Sequence, residues 1–498
     1  MSPRAPNSRL AAEIVARLDA LGVRLWCACA GARNSPLFAL LCEQGAANGR
    51  QLVRFYEERS AGFFALGAIK RTREPVAVVT TSGTAAAELL PAMIEAHYSG
   101  LPLVAVTADR PRRYRGTGAP QSIEQVGLFG PYAHGQWDLA AGDCGPESFG
   151  RLDGPIHLNV CFEEPLLEPD PIPIPVPVPS RPAAAQPRAA FDFGAVARSL
   201  DAFQERCRRP LVLVGPLAAP ERPAVRAFLR RIAAPLLAES ASGLRADPEL
   251  AHLELFGGER AIHRALSAAP DLCDGILRVG GVPVTRLWRD LEDKLARLPV
   301  LSLSASPFSG LSRGGLVHTP LDSGLAEVGR PSGWRDDLAP FRAADRALRA
   351  RTESLLDAEP KSEPGMIRRL SRLVPIDSPL YLGNSLPIRE WDLAAMTENR
   401  LADTGVNRGA NGIDGQLSTF FGFCPPGIES WAVLGDLTAL YDLGAPWVLD
   451  QLADRRWVLA IVNNGGGAIF SRMFRQIEFQ NRHRTRFDAW AAMWDLRH

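Results

Sequence analysis

Short apolar runs that end in a small polar turn and lead into a helical pattern recur along this chain, and they limit its fold more than any other feature. VAVVTT (76–81) passes through Ser82-Gly83-Thr84 into an alanine-rich helix, and PLVAVTADR (102–110) is a second such run. PLVLVG (210–215), APLLAES (234–240), GILRVGG (275–281) and PVLSLSAS (299–306) follow. PLYLGN (379–384), SWAVLGD (430–436) and WVLAIVNN (457–464) complete the series. Strands apolar on both sides must be covered on both faces, which parallel sheets wrapped in helices achieve. The sequence therefore predicts an α/β protein of doubly wound parallel sheets. Ahead of the first strand, Leu10, Ile14, Leu18 and Leu21 share one helix face, with Asn7 or Ser8 placed to cap it.

Two breaks divide the series into three blocks, in keeping with 498 residues at roughly 100–200 per domain. PLLEPDPIPIPVPVPSRPAAAQPR (165–188) is dense in proline and predicts an extended linker. The charged helix of 341–364 ends in a cluster of breakers. The expected domains are 1–165, a linker over 166–189, 190–360 and 361–498.

Composition removes several function classes. Lys+Arg 56 against Asp+Glu 55 leaves no global attraction for nucleic acid or an anionic membrane. No stretch approaches the ~18 apolar residues of a membrane span, and mean hydropathy is −0.05. Eight cysteines over this length are too sparse for a disulfide scaffold, and Cys27-x-Cys29 reads as two buried small residues. With no signal peptide pattern at the start, the expected setting is a reducing cytoplasm. No strand leads into G-x-G-x-x-G, which disfavours a nicotinamide dehydrogenase.

The chemistry concentrates in the third block. AVLGDLTALYD (432–442) places Gly435-Asp436 at a strand end, and IVNNGGGAIF (461–470) ends the next strand in a glycine-rich turn. Asn463 lies 27 positions after Asp436. Strand ends of a parallel sheet converge on one crevice, where ligands bind. Asp436, one of Asn463 and Asn464, and the Gly466 carbonyl offer hard oxygen ligands, and the glycines let backbone approach a diphosphate. In the first block, RFYEERSAGFFALGAIK (54–70) carries two adjoining acids, Glu57 and Glu58, before an Ala/Gly-rich helix. Read alone, either is an ordinary helix-start acid. His157, on a strand, reads as a satisfied structural histidine.

The Gly-Asp and Asn-Asn pair at this separation resembles the fingerprint of thiamine diphosphate enzymes. GARNSPL (31–37), EERSAGFFALG (57–67), TTSGTAAAELLPA (80–92), TADRP (107–111), GAPQSIEQVGLFG (118–130), GPIHLNVCFEEPL (154–166), GNSLPIR (383–389), NRGANGIDG (407–415) and GDLTALYD (435–442) occur in order. Together they are similar to the family of 2-succinyl-5-enolpyruvyl-6-hydroxy-3-cyclohexene-1-carboxylate (SEPHCHC) synthases of menaquinone biosynthesis, from about residue 8 to about 496. The resemblance implies pyrimidine-binding, central and diphosphate-binding domains, and a homodimer or dimer of dimers with the active site at the subunit interface. It implies decarboxylation of 2-oxoglutarate and addition of the remaining four-carbon unit to isochorismate.

Carried over residue by residue, Glu58 activates the cofactor and Ile413 lies beneath it. Ser82, Gly83, Gly435 and Leu437 join Asp436, Asn464 and Gly466 around thiamine diphosphate, the last three holding Mg²⁺ or Mn²⁺. Ser385, Arg389 and Arg408 grip the carboxylate derived from 2-oxoglutarate. Arg33, Arg110, Gln121 and Arg286 serve substrate, and Ile469 and Phe470 wall the pocket. Four positions depart from the family's usual pattern: Glu57, Glu88, Pro120, and Arg286 without a neighbouring lysine. Only 28 residues follow Phe470, fewer than the resemblance leads one to expect, so the last domain is expected to be short at its C-terminus. Two other readings are a cofactor-binding homologue without turnover and a different thiamine-dependent 2-oxoacid enzyme.

Overall fold

A computed structural model describes residues 6–44, 49–143, 149, 152–167, 193–325, 328–335, 339–398, 403–471 and 473–498. From residue 168 onward the expected linker lies outside the described residues. Among the described residues, the strands lie in three parallel sheets. The first holds β1 (Leu25–Cys29), β2 (Gln51–Phe55), β3 (Val76–Thr80), β4 (Leu103–Asp109), β5 (Gly135–Ala140) and β6 (Ile156–Cys161), in the order β2-β1-β3-β4-β6-β5. The second holds β7 (Pro210–Val214), β8 (Leu236–Ala238), β9 (Gly275–Val279), β10 (Val300–Ser304) and β11 (Gly315–His318), ordered β11-β10-β9-β7-β8. The third holds β12 (Leu380–Leu382), β13 (Thr404–Gly405), β14 (Glu429–Gly435) and β15 (Arg456–Val462), ordered β13-β12-β14-β15.

Each sheet is covered on both faces because successive side chains of a strand point to opposite sides. In the first sheet Trp26, Ala28, Ala77, Val79, Val104 and Val106 enter one core. Their alternates Cys27, Cys29, Val76, Val78, Leu103 and Ala105 enter the other. That second core is shared with the third block, through Leu417, Phe420, Phe421, Ala432 and Leu434. It forms where helix Glu58–Thr72 crosses helix Gln416–Phe423. Glycines permit the crossing: a Cβ on Gly67 would lie 1.9 Å from the Thr419 carbonyl oxygen, and one on Gly422 2.0 Å from that of Phe64.

The first helix, Pro6–Ala20, buries Leu10, Ile14 and Leu18 as the periodicity predicts. It already includes Pro6, ahead of the expected caps. Asn7 lies inside it, and its amide donates to the carbonyls of Glu163 (2.8 Å) and Pro165 (3.0 Å). Asn7 thus fastens the helix to the end of the first block. No helix among the described residues is long and apolar enough to cross a membrane.

Candidate functional site

In each sheet the strand order turns at one strand, and beyond the strand ends at such a point a crevice can open. In the first sheet this strand is β1, between β2 and β3. The Gly31–Arg33 and Thr81–Gly83 turns meet there. The backbone N–H of Arg33 donates to Thr81 Oγ1 at 3.3 Å, and a Cβ on Gly31 would sit 2.4 Å from Thr81 Cβ. Gly83, at φ 86°, packs its Cα side against Gln121, and its N–H donates to the buried Gln125 at 2.8 Å. Arg110, just past β4, donates from Nε to the Pro120 carbonyl at 2.8 Å. The fold therefore gathers Arg33, Ser82, Gly83, Arg110 and Gln121 along one sheet edge. Arg33 pairs with Glu164 at 3.0 Å.

The two candidate acids do different work. Glu57 caps the helix that Glu58 begins: its Oε2 accepts from the Ser60 N–H at 3.0 Å and from the Ser60 hydroxyl. Arg59 Nε adds a contact to Glu57 at 3.4 Å. Glu58 is half-buried, and burial first, then Glu57 and Glu88, raises its pKa above the usual carboxyl range. It faces a cleft of about 530 Å³ lined by Tyr56, Glu57, Arg59, Glu88 and Tyr441.

In the third sheet the crevice opens between β12 and β14. Asp436 follows β14 and is buried. Its Oδ2 accepts from the Gly466 N–H at 2.9 Å and lies 3.2 Å from His483 Nε2, and its Oδ1 accepts from the Leu437 N–H at 2.7 Å. Gly466, at φ 140°, has no room for a side chain, since a Cβ would lie 2.4 Å from the Gln480 carbonyl oxygen. Asn464 donates its amide N–H to Glu363 at 3.0 Å, which identifies the other end of that amide as oxygen. A carboxylate, an amide oxygen and a backbone carbonyl form a hard oxygen donor set that fits Mg²⁺. Ile469 and Phe470 lie in the short 3₁₀ turn Ala468–Phe470 just beyond.

Beyond β12, Ser385 opens helix Leu386–Ala394 at φ 73°, and its carbonyl accepts from Arg389 Nη1. Arg408 Nη1 donates to Asn384 Oδ1 at 3.0 Å. Ser385, Arg389 and Arg408 are thus brought together, with Ile413 half-buried at the end of the same turn. Burial pushes both guanidinium groups down, Arg408 to about 10. Among the described residues, the buried Nε of Arg408 and Oε2 of Glu239 have no hydrogen-bond partner.

Residues 8–128 match the family of the thiamine pyrophosphate enzyme, N-terminal TPP binding domain. The chain is 45% identical to the SEPHCHC synthase of Bdellovibrio bacteriovorus, over 98% of this chain and 91% of that one. It is 40% identical to the SEPHCHC synthase of Akkermansia muciniphila, over 96% and 88%.

The chain belongs to the SEPHCHC synthase family.

Within this synthase family member, some groups around the site carry no sequence motif. Glu239 leaves β8 in the central block, accepts from the Val284 and Thr285 N–H groups at 2.6 and 2.9 Å, and interacts with both Arg389 and Arg408. Glu95 and His483 come from other segments again. Asp442 stands in the GDLTALYD motif and accepts from the N–H groups of Gly415, Leu417 and Ser418, capping the helix that follows Ile413. Arg286 stands apart: its side chain is 61% exposed and 3.7 Å from Asp290. Its link to the others runs through the preceding Thr285 N–H and Glu239. His157 is buried against Thr107 Oγ1 at 2.7 Å, and burial lowers its pKa to about 4.

Proposed function

We propose that this chain carries out the SEPHCHC synthase reaction of menaquinone biosynthesis: decarboxylation of 2-oxoglutarate and addition of the four-carbon remainder to isochorismate. The observation that carries this reading is the pairing of Arg389 and Arg408 beside Ser385. Two neighbouring guanidinium groups, the exposed one of Arg389 and the half-buried one of Arg408 with its unpartnered buried N–H, suit an anionic carboxylate better than the small apolar 2-oxoacids of other thiamine enzymes.

Thiamine diphosphate, when bound, supplies the carbon nucleophile and the electron sink for loss of CO₂. Asp436, Asn464 and the Gly466 carbonyl would hold Mg²⁺ or Mn²⁺ at its diphosphate, with Gly435 and Leu437 alongside and Ser82 and Gly83 facing from the first block. Glu58 would share a proton with the cofactor's pyrimidine. Its raised pKa suits that task, and the helix-capping bonds of Glu57 leave Glu58 as the available acid. Ser385, Arg389 and Arg408 would orient the carboxylate that stays on the product. Arg33, Arg110 and Gln121 would receive isochorismate, Arg286 would act at the margin, Ile413 would support the cofactor, and Ile469 and Phe470 would exclude water.

Two copies are proposed to complete the site. Among the described residues, no hydrogen bond or ion pair joins Glu58's side chain to Asp436 or Ser385, although all stand at sheet edges. A cytoplasmic setting fits the cofactor and substrates.

The test is CO₂ release from 2-oxoglutarate by the purified chain with thiamine diphosphate and Mg²⁺, with and without isochorismate. Turnover that depends on isochorismate is expected; equal use of pyruvate sinks the carboxylate grip. In Glu58→Gln the rate should fall by roughly a hundredfold or more with cofactor affinity little changed. A fully active Glu58→Gln alongside a dead Glu57→Gln would transfer the role to Glu57.

A further inference from the structure

The turn that carries Arg408 is held from two sides by different parts of the chain. On the inner side, Asn384 donates its amide N–H groups to the carbonyls of Asn407 and Gly412, both at 2.7 Å, while its oxygen accepts from Arg408. Asn407 in turn donates to Thr419 Oγ1 at 3.0 Å. These bonds stay within the third block. On the outer side stands Glu95, from helix Leu90–Ser99 of the first block, which is 3% exposed. Its Oε1 accepts from the Gly409 N–H at 3.0 Å and its Oε2 from the Ala410 N–H at 2.7 Å. One carboxylate thus spans the two residues after Arg408.

The seat for this carboxylate is built. Ser99 Oγ donates to Oε1 at 3.0 Å, and the buried Lys70 ammonium stands 3.7 Å from the same oxygen. Gly409 must lack a side chain, because a Cβ would come within 2.7 Å of the Glu95 carbonyl oxygen and the Ser99 hydroxyl. A buried carboxylate costs free energy unless donors satisfy it, and here two of the donors are backbone N–H groups of the turn itself. If the turn moved away, Oε2 would lose its Ala410 donor and Oε1 would keep only Ser99 and Lys70.

We propose that Glu95 is a positioning residue for Arg408, setting from the first block the guanidinium that receives the carboxylate of 2-oxoglutarate. This rests on the function proposed above. Glu95 touches no substrate. It fixes the backbone on the C-terminal side of Arg408 while Asn384 fixes the side chain, and a displacement of about 1 Å at such a group is enough to weaken productive binding. The arrangement also makes substrate binding in the third block depend on the packing of the first.

The experiment uses the full chain loaded with thiamine diphosphate and Mg²⁺, comparing the parent with Glu95→Gln. Gln keeps one acceptor oxygen but presents an N–H₂ to the other backbone donor. Amide hydrogen exchange at Gly409 and Ala410 should quicken, while exchange at Gly415, Leu417 and Ser418, held by Asp442, should not change. KM for 2-oxoglutarate should rise about tenfold, as expected for misplacing a group without removing it. The kcat and the KM for isochorismate should stay within about twofold, a split that a general loss of structure would not give.

Unchanged exchange at 409–410 overturns the proposal, and so does quicker exchange with an unchanged KM in an active enzyme. If Glu95→Gln does not fold, Ser99→Ala, which removes only one bond orienting the carboxylate, should show the same changes in smaller measure; no change in it overturns the proposal. A parent without turnover on 2-oxoglutarate and isochorismate refutes the function proposed above, and exchange alone then decides whether Glu95 holds the turn.

Discussion

The central and third sheets are built on one plan, yet only one of them opens a crevice where its strand order turns. In the central sheet β7 lies between β8 and β9, the position β12 occupies between β13 and β14. Beyond β7 and β9 the backbone closes on itself. Gly215 N–H donates to Val279, Gly281 N–H donates to Pro216 at 2.8 Å, and a Cβ on Gly215 would lie 2.1 Å from the Gly281 carbonyl oxygen. Beyond β12 and β14 Gly383 N–H likewise donates to Val433 at 2.8 Å, but there Asn384, Ser385 and Asp436 follow, with polar side chains in place of a second backbone bond like that of Gly281 to Pro216. Topology marks where a ligand can bind; the residues after the strands decide whether one does.

The largest effect should come from the open crevice. Asp436→Ala removes the one carboxylate of the proposed metal set and should weaken Mg²⁺-dependent binding of thiamine diphosphate on the order of a hundredfold, the equivalent of an ionic contact worth about 3 kcal/mol. A cofactor titration in excess Mg²⁺ measures it. If affinity is unchanged, the crevice beyond β14 is no more a cofactor site than its closed counterpart, and the contrast between the two sheets fails.

The reciprocal substitution belongs in the closed crevice. Gly215→Ala forces a methyl against the Gly281 carbonyl, so the seam must part or the strands shift. The expected cost is about 1–3 kcal/mol of stability, seen as a lower Tm, with cofactor affinity unaffected. A marked loss of cofactor affinity at full stability would show that the central crevice takes part in binding after all.

How much of this was legible beforehand follows the range of the interactions. Strands buried on both faces announce themselves as apolar runs, because no polar positions disguise them: β3, β4 and β14 lie within a residue of the expected spans, whereas β1, β2, β5, β11 and β13 stand outside the expected series, β2, β5 and β11 being partly exposed and β13 two residues long. Gly435-Asp436 and the 463–466 turn were legible as neighbouring strand ends because each is a short continuous motif after an apolar run. Glu95, Glu239 and His483 were not. Each acts on a segment far away in sequence, at Gly409, Arg408 and Asp436, and the amino-acid string carries no sign of which distant turn a lone acid or imidazole will meet. Asn7 was misread for a related reason: a residue suited to cap its own helix instead bonds the backbone at 163–165. The division of labour between Glu57 and Glu58 also needed coordinates, since adjacent acids before a helix differ only in which one turns back to cap it.

The smallest effect tests Glu239, a group by which the central block reaches the open crevice. Glu239 follows β8, and burial, with Asp392 nearby, raises its pKa well above the usual carboxyl range while Arg408 opposes the rise. Its protonated form therefore persists to higher pH than that of an exposed glutamate. As pH climbs through this raised pKa the side chain gains a negative charge beside Arg389 and Arg408, where it competes with the incoming carboxylate. KM for 2-oxoglutarate should then rise with pH in the parent. Glu239→Gln keeps an acceptor for the Val284 and Thr285 N–H groups but cannot ionise, so its KM should lie a few-fold lower at the alkaline end and match the parent at the acid end. The same pH dependence in both proteins would assign the competing charge elsewhere, and would leave the central sheet a support for the site with no electrostatic share in it.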